Sequence, residues 1–164
     1  MNETLKVTTP SDREIVVTRV FDAPRTLVFD CMCKPELVKR WLLGPPGWTM
    51  PVCEIDFKVG GRYRYVWRGP DGSEMGMGGV YREIVPPDRI VQSELFDQDW
   101  TGGETLATAL LNEEASRTTL TITILYSSKE ARDGALRTGM TEGMAAGYDR
   151  LADLLASIVA GEGK

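Results

Sequence analysis

The 164-residue chain contains no histidine. It therefore lacks the side chain that most often serves as a base near neutral pH. It also has no G-x-S-x-G nucleophile elbow and no phosphate loop of the G-x-x-x-x-G-K-[ST] type. Cysteine is scarce: Cys31, Cys33 and Cys53. The count is odd, and Cys31-x-Cys33 is one residue too tight for a C-x-x-C redox pair. One further cysteine and no imidazole make a poor zinc site. Free thiols in a reducing, cytoplasmic setting are expected, with no metal and no cofactor. No apolar run approaches the ~18 residues of a membrane-spanning helix. Met1 to Ser11 lacks a signal peptide's apolar segment. Runs of Lys and Arg are absent, and a net charge of −5 with a pI near 4.9 argues against a nucleic-acid partner.

What is present reads as one domain over residues 11–160, preceded by a loose segment over 1–10. The organising stretch is Ser127 to Ile158. Ser127 and Glu130 have capping-box spacing. Met140, Met144, Gly147, Leu151, Leu154 and Ile158 recur at steps of four and three, as one apolar helix stripe. Gly139, Gly143 and Gly147 stack along that helix. Each costs about 1 kcal/mol against alanine, so something offsets roughly 3 kcal/mol. Three readings stand: close packing against a curved sheet, a cavity wall, or a break near Gly134 or Gly139.

Upstream, Arg13 to Phe21 reads as a strand. Asp22-Ala23-Pro24 is a helix start, with Asp22 as the cap. That helix is expected to turn Leu27, Val28, Cys31 and Met32 inward. A second short helix runs from about Pro35 to Leu42, and Gly44-Pro45-Pro46-Gly47 ends it. Successive strands follow. In the clearest, Tyr63, Tyr65 and Trp67 alternate with Arg62, Arg64 and Arg68. Gly69-Pro70-Asp71-Gly72 turns the chain back. If Trp67 pairs with Glu74, Tyr65 faces Gly76 and Tyr63 faces Gly78. A one-residue slip places Met75 and Met77 on that face instead. A last hairpin is expected across Glu113-Glu114-Ala115-Ser116.

Several stretches then narrow the identity of this pattern. Val20-Phe21-Asp22-Ala23-Pro24-Arg25, Pro35-Glu36-Leu37-Val38-Lys39-Arg40-Trp41 and Gly44-Pro45-Pro46-Gly47 come first. Asp56-Phe57-Lys58-Val59-Gly60-Gly61-Arg62-Tyr63, the stretch from Gly79 to Val91, and Gly143-Met144-Ala145-Ala146-Gly147-Tyr148 follow. In their order and spacing they resemble the START-like (SRPBCC) superfamily, in the bacterial branch named after the activator of the heat-shock-protein-ninety ATPase. The resemblance covers about Ile15 to Leu155. It implies an α+β helix-grip fold: a curved antiparallel sheet of six to seven strands around a long C-terminal helix, with two short helices after the first strand. It also implies a hydrophobic cavity between sheet and helix, but no shared catalytic set. Where relatives often have two tryptophans, this chain has Trp41-Leu42, and where they often have an aromatic it has Met144.

The residues expected nearest such a cavity are Trp41, Trp48, Tyr63, Tyr65, Trp67, Trp100, Met140, Gly143, Met144 and Gly147. Aromatic and thioether side chains supply apolar area that adapts to a ligand. Glu74, Glu94, Glu104 and Glu142 are the carboxylates on elements that reach inward, and Arg19, Arg62 and Arg64 their potential partners. The function this supports is a binding protein for a small hydrophobic or amphipathic molecule. Alternatives are an adaptor that stimulates a chaperone ATPase and a cyclase- or hydrolase-like enzyme using cavity carboxylates. A homodimer is expected from the resemblance alone.

Overall fold

Eight strands build a single antiparallel sheet in the computed structural model, which describes residues 5–43, 46–98 and 103–162. The strands are β1 (Lys6–Thr8), β2 (Glu14–Phe21), β3 (Thr49–Ile55), β4 (Arg62–Arg68), β5 (Glu74–Val85), β6 (Arg89–Phe96), β7 (Thr105–Glu114) and β8 (Arg117–Leu125). Their order is β1-β2-β8-β7-β6-β5-β4-β3. From β3 to β8 each strand pairs with its neighbour in sequence, as short turns dictate. Helices α1 (Arg25–Cys33) and α2 (Pro35–Trp41) carry the chain from β2 to the far edge at β3. Helices α3 (Lys129–Leu136) and α4 (Met140–Glu162) close it. No described helix is long and apolar enough to cross a membrane.

The strand count exceeds the six to seven expected because Lys6–Thr8, in the segment read as loose, pairs with Val16–Thr18 at the sheet edge. Three residues with exposed side chains carry no hydrophobic signal; backbone pairing alone places them.

The terminal helix is also two helices. Gly139 takes φ +80°, a conformation that ends a helix and that glycine adopts without strain. The cap of α3 is Ser128 rather than Ser127: its hydroxyl accepts the Ala131 N–H at 3.0 Å. At α1 the N-cap is Pro24 rather than Asp22. The first N–H of that helix, on Arg25, is met by Glu113 of β7 at 2.7 Å, a partner 88 residues away that no local pattern reveals. Val28 and Cys31 of α1 are buried as expected, together with Phe29 and Cys33, while Leu27 and Met32 are half-buried.

The core lies between the concave sheet and the helices. Tyr148 of α4 stacks on Trp41 of α2, with centroids 5.6 Å apart, and meets Phe21 edge-on at 6.1 Å. Leu151, Leu154 and Leu155 continue that contact. A row of rings, Phe57, Tyr81, Tyr63, Tyr65 and Trp67, runs along the sheet with centroid spacings of 5.0 to 5.7 Å, the range in which tilted aromatic pairs are favourable.

Candidate functional site

Above the middle of the sheet, α4 does not fill the concavity. A cavity of about 460 Å³ remains. The sheet opens it with small residues, since Ala107 and Ala109 of β7 stand at the inward positions where larger side chains would reach the helix. The helix opens it with Gly143 and Gly147. The three glycines thus act differently: Gly139 breaks the helix, Gly143 is cavity wall, and Gly147 borders the cavity where α4 passes the Trp41 carbonyl.

Aromatic and thioether groups form the walls. Trp41, Trp48, Tyr65, Trp67, Met140, Gly143, Met144 and Gly147 all line the cavity. Two indoles are held by their ring N–H groups. Trp41 Nε1 donates to the Cys31 carbonyl at 2.8 Å, and Trp67 Nε1 to the Leu42 carbonyl at 2.7 Å. The α1–α2 pair therefore fixes both rings. Tyr63 does not line the cavity. It sits deeper in the ring row, and its hydroxyl donates to the Ser93 carbonyl at 2.6 Å. Trp100 lies outside the described residues.

Met75, Met77, Phe96, Tyr126 and Tyr148 are cavity walls that the sequence reading did not single out as such. The first two follow from the hairpin register. Arg68 pairs with Glu74, which sets Trp67 opposite Met75 and Tyr65 opposite Met77. This is the slipped alternative rather than the pairing of Trp67 with Glu74. Its cause is a three-residue loop, Pro70 to Gly72, closed by the Gly69 N–H on the Ser73 carbonyl at 2.8 Å, with Gly72 at φ +86°. A turn followed by a left-handed glycine is the usual three-residue hairpin, and its odd length moves every partner by one. The strand glycines instead admit an outer-face contact at Gly76 and a close approach on the Tyr63 face at Gly79. The Arg64–Asp97 ion pair crosses Gly76, and Gly79 approaches the Ser93 carbonyl.

Of the four candidate carboxylates, only Glu94 lines the cavity. Glu74 pairs with Arg68 at 2.6 Å and Glu104 with Arg82 at 3.6 Å, while Glu142 is exposed beside Thr141. Inward positions of β6 are Ile90, Gln92, Glu94 and Phe96, at every second residue. Glu94 is half-buried, and the side chain lines the cavity. Thr105 Oγ1 lies 3.3 Å from its Oε1. Burial pushes the carboxyl up from an ordinary 4.5 to about 7, the Thr105 hydrogen bond pulling slightly the other way. Tyr126 and Tyr148 are raised too, first by burial and then by the Glu94 charge. The candidate arginines point elsewhere. Arg19 is buried against Asp149 at 2.9 Å and lies over the Phe21 ring. Arg64 binds Asp97 through both oxygens at 2.6 Å, and Arg62 is exposed on the outer face.

Cys31, Cys33 and Cys53 are free thiols, each pushed up to about 11 chiefly by burial. Among the described residues no cluster of histidine, cysteine, aspartate or glutamate suits a metal ion.

Residues 22–156 match the family described as Activator of Hsp90 ATPase homolog 1-like protein. No curated protein matches the chain. Among solved structures, a protein of Rhodobacter sphaeroides is 32% identical, covering 94% of this chain and 99% of its own, with a TM-score of 0.89. A protein of Arthrobacter aurescens is 26% identical over 94% of this chain and 93% of its own, with a TM-score of 0.82. Protein Ms6760 of Mycobacterium smegmatis, 23% identical over 93% of this chain and 97% of its own, shares the fold with a TM-score of 0.83.

Proposed function

The chain belongs to the Activator of Hsp90 ATPase homolog 1-like family, and we propose that this member is a binding protein that encloses a small hydrophobic or amphipathic molecule between its sheet and α4. The observation that carries this reading is the cavity itself: about 460 Å³, walled by tryptophan, tyrosine and methionine, with Glu94 as its one carboxylate among the described residues. Ligand sites are concave and mostly apolar, with a few convergent polar groups. Affinity comes from apolar burial at about 25 cal/mol per Å², less the cost of association. Methionines at positions 75, 77, 140 and 144 accommodate varied shapes.

The test is a titration with Nile red, a neutral dye that brightens in apolar surroundings. Saturable binding of one dye per chain is expected. Met144→Trp places a bulkier ring in the cavity wall and is expected to weaken binding at least about tenfold, since lost contacts are felt at full strength in a preformed site. Dye binding that is weak, unsaturable or indifferent to Met144→Trp contradicts the reading.

A second reading has one observation behind it. A cavity carboxyl titrating near neutrality is what a general acid or base requires. Among the described residues Glu94 has no second carboxylate beside it in the cavity lining, so an enzyme built on them would work by single proton transfers rather than through a carboxylate pair.

A further inference from the structure

The cavity lining is unbalanced in charge. Among the described residues Glu94 is the one carboxyl on it, and neither arginine nor lysine contributes to it. The carboxyl has one hydrogen-bond partner among the described residues, the Thr105 hydroxyl, at a long 3.3 Å. A carboxylate accepts up to about four hydrogen bonds, so the described residues leave most of its capacity unused. Among the described residues the groups within electrostatic reach of it on neighbouring elements are neutral: Thr105 of β7, Tyr63 of β4, Tyr126 after β8 and Tyr148 of α4. Burial keeps the three tyrosines protonated. Tryptophan and tyrosine rings line the same cavity, and the π face of such a ring attracts cations. Each of these features favours a positive group and disfavours a negative one.

Building on the cavity reading above, we propose that the ligand is an amphipathic amine: an apolar body among the rings, with its ammonium group at Glu94. Bringing the ammonium to the carboxyl supplies the missing donors as charge-assisted bonds and leaves Glu94 ionised at neutral pH. Acidic ligands are rejected, because their carboxylate has no cation to meet. Binding is coupled to proton release, since the buried carboxyl holds a proton below about pH 7 in the empty cavity. Amine affinity therefore rises with pH through that range and levels above it.

The experiment uses three probes of one size, naphthylmethylamine, naphthylmethanol and naphthoate, titrated calorimetrically into the full chain at pH 6, 7 and 8. The amine is expected to bind at pH 8 at least about tenfold more tightly than the alcohol, with naphthoate the weakest. Its affinity is expected to drop about tenfold between pH 8 and pH 6, while the alcohol's does not drop. Glu94→Gln is expected to bring the amine down to the alcohol. An alcohol equal to or tighter than the amine overturns the proposal while leaving the cavity reading intact. So does an amine preference unchanged in Glu94→Gln, or one that does not vary with pH in the unmodified protein. Absence of binding by all three counts against the cavity reading and takes this proposal with it.

Discussion

Glu94 shows how far a single residue's chemistry is set by its place in the sheet. In the sequence it is one of 24 acidic residues, and nothing local separates it from Glu74 or Glu104. Its difference comes from the pleat: β6 turns it inward between Gln92 and Phe96, onto a cavity where the described residues supply no compensating cation. The folded carboxyl keeps its proton to about pH 7, whereas in the unfolded chain it is released near 4.5. Between those values the native state binds the extra proton, so stability declines as pH rises through that window and is level above it. The full loss is roughly 3 kcal/mol. Denaturant unfolding at pH 5 and pH 8 is expected to show wild type losing about that much more than Glu94→Gln. Parallel losses would contradict the assignment of Glu94 as a carboxyl raised by burial.

At the level of elements, what was legible in the sequence had strong local signals, and what was missed had none. The alternation in Arg62 to Arg68 gave the inward face of β4 correctly, and the helix stripe from Met140 to Ile158 gave that of α4. The register of the β4–β5 hairpin depended on a loop length that turn composition leaves open, so Met75 and Met77 emerged as walls only in three dimensions. β1 was invisible because its side chains are all exposed. The β7–β8 hairpin was placed correctly, but its turn is tighter than the four residues expected. Glu114 pairs with Arg117, and Ala115 and Ser116 alone make the turn, at φ 53° and 64°. Both occupy left-handed backbone that Asn-Gly adopts more readily. Replacing Ala115-Ser116 with Asn-Gly is therefore expected to stabilise the fold by about 1 kcal/mol in denaturant unfolding. Equal or lower stability would contradict the strain assigned to this turn.

For the molecule as a whole, the family relationship and the helix-grip plan were both readable from the order of motifs along the chain, and the family match over residues 22–156 bears this out. The resemblance implied a cavity, but whether it is open or filled by side chains was not readable. Whether a curved sheet and a helix enclose a cavity depends on the sum of opposing side chains, here Ala107 and Ala109 against Gly143 and Gly147. Those residues are more than 30 positions apart in sequence and carry no shared pattern. The sheet supplies the floor, the α1–α2 pair anchors the Trp41 and Trp67 walls, and the break at Gly139 separates α3 from α4, whose Met140, Gly143, Met144 and Gly147 border the space. The central claim is that this space exists to be occupied. It is tested most directly by native mass spectrometry of the purified chain incubated with a mixture of small apolar amines, alcohols and acids, with the denatured mass as reference. The expected result is one small molecule retained per chain, lost on denaturation, with an amine chosen from the mixture. A spectrum showing only the bare chain under native conditions would contradict the claim.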